Sequence, residues 1–232
     1  MYKMHKKGGI QINKYTDKVQ SFIDTNKDKK ILSMIICKTP IAKFIETLIN
    51  TISLGKFEQL KEKLGFDEMF HVWLLLEMDS GEIFYAEKNQ TLNIGNASEN
   101  RKYYFDPKRM MKVSTVGDTT IKNISEFRTK KREGKIEETL RKKYEPLTLY
   151  EALEKTKNIM GVDKYFDYDG KNNNCQLFLI NFLKANDQLN DQEYKFIYQD
   201  TEFIFSQVPE FISTFNKGIT DIAGIFDFIT KK

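Results

Sequence analysis

The chain has 232 residues, of which 40% are hydrophobic and 13% aromatic, and its formal net charge is +4. It contains two cysteines and two histidines, too few for a zinc site of four Cys and His ligands or for a framework of disulfides. We therefore expect a folded protein that keeps its thiols reduced and binds no metal or other cofactor. Lysines and acids are interleaved, so the mild net charge also argues against sequence-specific nucleic-acid binding.

The ends of the chain are polar or amphipathic rather than membrane-spanning. No apolar stretch approaches the roughly 18 residues of a membrane span, and the N-terminus lacks the apolar core of a secretory signal. We expect an intracellular protein without a transmembrane segment. Residues 1–30 are rich in lysine and contain turn-forming stretches, which predicts a basic, flexible arm ahead of a domain over residues 31–200.

The domain begins with a change from strand to helix periodicity. The apolar, β-branched run 31–37 predicts a strand. Apolar residues at helical spacing over 41–52 predict a helix, with Thr39 as its N-cap and Pro40 as its first residue. A second, shorter helix is predicted over 57–64.

Extended chain follows. The runs 70–78 and 82–87, separated by a Gly-containing turn at 79–81, predict a β-hairpin. Residues 91–94 predict a third strand. The stretch after it contains short apolar pieces and a charged run over 128–143, which is typical of a solvated helix or loop.

The second half of the chain is helical. A capping box at Thr148 begins a helix that ends at Met160. The short piece 164–166 is expected to be extended. Asn174 then caps an apolar helix over 175–185.

The last segment, residues 201–232, is predicted to be an amphipathic helical segment, since apolar residues recur along one face from 204 to 229. Three roles fit this pattern. The segment packs back onto its own domain, it docks on a partner protein, or it attaches weakly to a membrane surface; acidic residues within it count against the last of these.

Cys175 is the candidate nucleophile because it lies in the first turn of a predicted helix. Unpaired backbone N–H groups and the positive end of the helix dipole stabilise a thiolate there, and the same groups can hold an oxyanion. The alternative is a buried structural cysteine, which is common, although the polar residues 172–174 before it are unusual in that role. Cys37 ends an apolar strand and is interpreted as a core residue.

A thiolate nucleophile needs a base, and the chain offers His5 in the arm and His71 in the hairpin. In the predicted register His71 lies near Asn89, and Glu87 is one step away on the same face, where it can orient the imidazole as the third member of a triad. The alternatives are an inert histidine at a strand edge and a solvent-facing Glu87 beside Lys88.

The order of these residues resembles a known family. A strand with His71, a Gly-containing turn, a second strand that ends in a polar orienter, and Asn-Cys-Gln-Leu-Phe at 174–178 resemble the circularly permuted NlpC-type, papain-like thiol hydrolases, which include lecithin retinol acyltransferase-like enzymes. The family motif is Asn-Cys-Glu/Gln-x-Phe. A further likeness, to uncharacterised proteins of large DNA viruses, includes Leu-Ile-Asn-x-Ile-Ser-Leu-Gly-Lys at 48–56 and Glu-Lys-Asn at 87–89.

The resemblance implies an α+β fold, in which a small antiparallel sheet packs on the Cys-bearing helix and further helices lie at both termini. It also implies a thiol hydrolase in which Cys175 attacks a peptide or lipid acyl group and His71 transfers the proton. Glu87 orients His71, and the backbone N–H of Cys175, with the side chain of Gln176 or Asn174, holds the oxyanion. Acyltransferase members carry a second His where Glu87 stands, so the pattern is closer to the peptidase or viral one.

The viral likeness adds an alternative of another class. In this alternative the protein is a minor capsid or scaffold component in the host cytoplasm or virion. It binds a virion partner through residues 204–232 and uses the same fold with or without activity.

Overall fold

The computed structural model of the chain describes residues 14–40, 69–106, 112–116, 146–169 and 172–200, together with positions 59, 62, 63 and 110. All structural statements below concern these residues. Several predictions lie wholly or mostly outside them, namely those for residues 41–52, 57–64, 128–143 and 201–232.

The described chain has an α+β architecture, as the sequence predicts. Its five strands are β1 (Ile31–Pro40), β2 (Phe70–Met78), β3 (Ile83–Lys88), β4 (Leu92–Asn96) and β5 (Lys112–Val116). They form one antiparallel sheet in the order β4-β3-β2-β1-β5. The helices are α1 (Asp17–Asn26), α2 (Arg101–Tyr104), α3 (Leu149–Met160), α4 (Val162–Phe166), α5 (Cys175–Ala185) and α6 (Asp191–Ile197).

The two faces of the sheet are covered by different elements, because successive side chains of a strand point to opposite sides. On one face Val72, Leu74 and Phe84 pack against the apolar sides of α1, α3 and α5. On the other face a smaller cluster forms around Trp73 and Cys37, and α2 contributes Tyr104 to it. Cys37 is completely buried, which confirms its interpretation as a core residue.

The predicted hairpin is confirmed, and its strands separate at one end. Pairing between β2 and β3 runs from the turn to Leu74 opposite Ala86 and stops there. Pairing of β2 with β1 continues to Phe70, and pairing of β3 with β4 continues to Lys88. The first residues of β2 and the last residues of β3 therefore border a gap inside the sheet, where backbone groups can bind something other than a neighbouring strand.

The predicted starts of α3 and α5 are confirmed. Thr148 and Glu151 form the capping box of α3, and Asn174 caps α5. Among the helices of the described residues, none is long and apolar enough to cross a membrane.

The prediction of a flexible arm over residues 1–30 is wrong for its described part. Helix α1 begins after the cap Thr16, and Val19 and Ile23 are buried in the main core. The hydroxyl of Tyr15 lies 2.8 Å from that of Tyr165 and forms a buried hydrogen bond with it. Only three apolar residues of this short helix, Val19, Phe22 and Ile23, face inward, so periodicity alone gives a weak signal for it.

The predicted helix start at Thr39 and Pro40 is also wrong, because β1 runs to Pro40. The hydroxyl of Thr39 accepts a buried hydrogen bond from the indole N–H of Trp73 at 2.9 Å, so Thr39 belongs to the sheet. Pro40 lacks an N–H group, and the end of a strand tolerates that loss.

The segment 164–166 is helical rather than extended. Gly161 ends α3 with a φ of 77°, and its carbonyl accepts a hydrogen bond from the N–H of Tyr165, which starts α4. Sequence analysis missed α6 as well, although Asn190 and Glu193 form a capping box there.

Candidate active site

The structure places Cys175 as the first residue of α5. The side-chain oxygen of Asn174 accepts hydrogen bonds from the N–H groups of Gln176 at 3.0 Å and Leu177 at 3.1 Å. The backbone carbonyl of Asn174 accepts from Phe178. The N–H of Cys175 is the first-turn donor that Asn174 does not take. The side-chain oxygen of Asn174 thus fixes the start of the helix.

The Cys175 thiol is buried at the gap between β2 and β3. The backbone N–H groups of Val72, on the gap side of β2, and of Gln176 interact with its sulfur, and the N–H of Gln176 is shared with the side-chain oxygen of Asn174. Burial raises the pKa of the thiol, but the charge and hydrogen bond of His71 and these two N–H groups outweigh it, so the pKa of Cys175 is lowered. The site therefore favours the thiolate.

His71 connects Cys175 to Glu87. Its Nε2 atom lies 3.2 Å from Oε1 of Glu87, and both side chains are largely buried. This contact is close, but its alignment departs from that of an ideal hydrogen bond. Since Nε2 faces Glu87, we assign Nδ1 to the hydrogen bond with the sulfur of Cys175.

The charge on His71 follows from the same neighbours. Burial lowers the pKa of the imidazole, but the Cys175 thiolate and then Glu87 raise it more strongly, so the pKa of His71 reaches about 10. The raised pKa of His71 and the lowered pKa of Cys175 agree, because both favour transfer of the thiol proton to the imidazole. The two groups titrate as a pair, and the form favoured near neutral pH is thiolate with imidazolium.

Glu87 points into the protein and not into solvent. Its exposed fraction is 6%, and it lies on the face of the sheet that carries Trp73 and Tyr104. Burial raises the pKa of Tyr104, and the nearby charge of Glu87 raises it further. The structure thus brings Cys175, His71 and Glu87 together and excludes a solvent-facing Glu87.

Gln176 takes part in a buried connection between α5 and β2 that the sequence did not indicate. Its side-chain oxygen accepts a hydrogen bond from the N–H of Gln199 at 2.8 Å. The side-chain oxygen of Gln199 accepts from the N–H of Phe70 at 3.0 Å. Phe70 precedes His71, so the connection links the helix of the nucleophile to the strand of the base. The NH2 group of Gln176 is directed away from Gln199, because a backbone N–H must face the oxygen.

We expect Gln199→Ala to lower the free energy of unfolding by about 1–3 kcal/mol, because it leaves the buried N–H of Phe70 without its acceptor. Urea denaturation followed by circular dichroism measures the change. The matched control is Gln192→Ala, which removes the same side chain from an exposed position of α6. Equal unfolding free energies for the two variants would contradict this role for Gln199.

Lys88 and Asn173 are further site residues that sequence analysis missed. Lys88 is completely buried and donates hydrogen bonds to Asn173 and to the carbonyl of Lys164. A signal was present: by strand alternation Lys88 shares a face with the apolar residues Phe84 and Ala86. A lysine on the apolar face of a strand indicates a buried charge with a specific partner.

Comparisons of the chain with protein-family models, with curated proteins and with solved structures find no match. Among the described residues, His, Cys, Asp and Glu side chains do not form a group of three or more that could hold a metal ion. The reactive groups that the site brings together are the thiol of Cys175, the imidazole of His71 and the carboxylate of Glu87.

Proposed function

We propose that the protein is a cysteine-dependent acyl hydrolase or peptidase that works through a thioester intermediate. The observation that carries this proposal is that His71 is buried between two other site residues. It interacts with the sulfur of Cys175, and its Nε2 atom lies 3.2 Å from Oε1 of Glu87. A structural cysteine needs no hydrogen-bonded imidazole and no carboxylate behind it. The order of these residues also supports the proposed kinship with permuted papain-like thiol hydrolases.

In the first half of the reaction the Cys175 thiolate attacks the acyl carbon, and the carbonyl oxygen becomes an oxyanion. The imidazolium of His71 then gives its proton to the leaving amine or alkoxide as the bond from the acyl carbon breaks. Once the sulfur is bound to carbon, its charge is gone. The largest influence that raises the pKa of His71 disappears with that charge, so the proton is released more readily at this step.

In the second half of the reaction the neutral His71 takes a proton from water. The resulting nucleophile attacks the thioester and releases the acid, and the thiolate and imidazolium are restored. Glu87 holds the ring so that its two nitrogens keep separate roles. Peptide and lipid acyl groups pass through the same intermediate, so both substrate classes remain within the proposal.

Two donors suit the oxyanion. The first is the N–H of Cys175, the first-turn donor that the Asn174 cap leaves out. The second is the NH2 group of Gln176, whose oxygen is bound by Gln199. A preorganised pair of donors of this kind contributes about 2.7–4 kcal/mol per donor to stabilisation of the transition state in acyl transfer.

The test is to trap the intermediate. The protein is mixed with a small activated ester and, separately, with an acyl thioester, then quenched in acid and measured by intact mass and peptide mapping. We expect one acyl group on Cys175 in the wild type and none in Cys175→Ala. Acylation of both proteins to the same extent, or of neither, would contradict the proposal.

A further inference from the structure

Lys88, the last residue of β3, is a buried cation that contacts Asn173, two residues before the proposed nucleophile. Its exposed fraction is 0%. The ammonium donates hydrogen bonds to the carbonyl oxygen of Lys164 at 2.7 Å and to the side-chain oxygen of Asn173 at 3.2 Å. Both acceptors are neutral. A buried ammonium that has only neutral partners tends to lose its proton unless negative charge lies nearby.

Two negative groups act on Lys88. They are Asp167, in the loop after α4, and the thiolate of Cys175. Burial lowers the pKa of Lys88 to about 8, and these two charges keep it from falling further. Neutral pH lies below this pKa, so the Lys88 side chain is mostly protonated and carries a positive charge.

Lys88 and Glu87 act on the site from opposite faces of the sheet, because they are consecutive residues of a strand. Glu87 lies beside His71 on the face of the small cluster. Lys88 lies on the face of the helices, where the charge of Cys175 acts on it. The four groups carry two positive and two negative charges when Cys175 is a thiolate, so this buried site is neutral in the form that can attack a carbonyl.

The hydrogen bonds of Lys88 also hold the chain that leads into α5. Asn173, which accepts one of them, donates its own NH2 group to the carbonyls of Lys164 at 2.8 Å and Asp167 at 2.9 Å. The next residue is the cap Asn174, and Cys175 follows. Lys88 and Asn173 thus join Lys164 and Asp167, at the end of α4, to the residues that lead directly into Cys175.

We propose that Lys88 is a positioning residue for the Cys175 thiolate, supplying a second buried positive charge near the sulfur and, through its hydrogen bond to Asn173, fixing the residues that lead into α5. This inference rests on the proposed role of Cys175 as the nucleophile. The other ionisable groups that act on the sulfur are His71, which is cationic, and Tyr168. Burial and then the Cys175 charge raise the pKa of Tyr168 well above its ordinary value, so it stays neutral over the range that matters.

The test is the rate of Cys175 alkylation by iodoacetamide as a function of pH, followed by peptide mass spectrometry. Lys88→Met removes both the charge and the hydrogen bonds, whereas Lys88→Gln removes the charge but keeps a donor. We expect both variants to raise the midpoint of the profile by about one pH unit, which is a tenfold lower rate on its rising part. Lys184→Met, which removes an exposed lysine at the other end of α5, leaves the midpoint unchanged. Wild-type midpoints in both Lys88 variants would overturn the proposal.

A second measurement does not depend on whether the Lys88 variants fold. The Lys88 ammonium is titrated by nitrogen-detected NMR in the wild type and in Cys175→Ser, which lacks the thiolate. We expect a lower pKa for Lys88 in Cys175→Ser, because coupling between two charges is reciprocal; equal values would overturn the proposal. Neither measurement needs a substrate. A shifted midpoint without acyl transfer would therefore refute the proposed function and leave the role of Lys88 standing.

Discussion

Replacement of Cys175 by alanine is expected to lower the rate of acyl hydrolysis on the order of 10,000-fold or more. The side chain forms the covalent bond to the substrate, and when a nucleophile is removed only binding and oxyanion stabilisation remain. The change is measured as kcat/KM on the activated ester and the thioester that acylate the wild type. Circular dichroism and thermal unfolding establish that the variant is folded, since Cys175 is buried beside the core.

The control for this experiment is Cys37→Ala, because the chain has only two cysteines. Cys37 is completely buried in the small cluster on the other face of the sheet. We expect this variant to lose some stability and to keep most of the hydrolytic rate. Comparable rates in Cys37→Ala and Cys175→Ala would contradict the assignment of the nucleophile.

Replacement of His71 by alanine is expected to lower kcat/KM about 100- to 10,000-fold, as for other general acid–base groups. The loss has two sources. The thiolate loses its cationic partner, so the pKa of Cys175 rises toward its ordinary value, and the leaving group loses its proton donor. In the wild type we expect activity to rise with thiolate formation below the usual thiol range and to fall as His71 loses its proton at about pH 10. In His71→Ala the rising part moves to higher pH and the falling part disappears.

His5→Ala is the matched control, since the chain has no other histidine. We expect its rate and its pH profile to equal those of the wild type. An unchanged pH profile in His71→Ala would show that the imidazole is not coupled to the reactive thiol.

The parts of the site that sequence analysis predicted depend on local rules. A hairpin turn fixes the register of its two strands. The diagonal position of Glu87 relative to His71 therefore follows from counting residues outward from the turn 79–81 along both strands. A helix cap is a property of a few neighbouring residues, so Asn174 places Cys175 in the first turn without reference to the rest of the fold.

The parts that were missed depend on contacts between distant segments. The N–H of Val72 reaches the sulfur because the pairing of β2 with β3 stops at Leu74, and no local pattern marks that end. Gln199 acts across a separation of 129 residues from Phe70. The burial of α1 likewise depends on the core that it meets, because a ten-residue helix with three inward-facing apolar side chains, Val19, Phe22 and Ile23, is stabilised mainly by tertiary packing. Lys88 is the exception, because its position on an apolar strand face was visible in the sequence.

The most direct test of the central claim is the ultraviolet absorbance of the thiolate in the wild type, with the spectrum of Cys175→Ser subtracted, over a range of pH. If Cys175 and His71 form a buried thiolate–imidazolium pair, with Glu87 orienting the imidazole, the difference absorbance is already present at neutral pH. It diminishes only as the solution becomes acidic enough to protonate the sulfur. A difference absorbance that appears only near the ordinary thiol pKa of about 8.5, or higher, would contradict the claim that this site holds an activated thiolate.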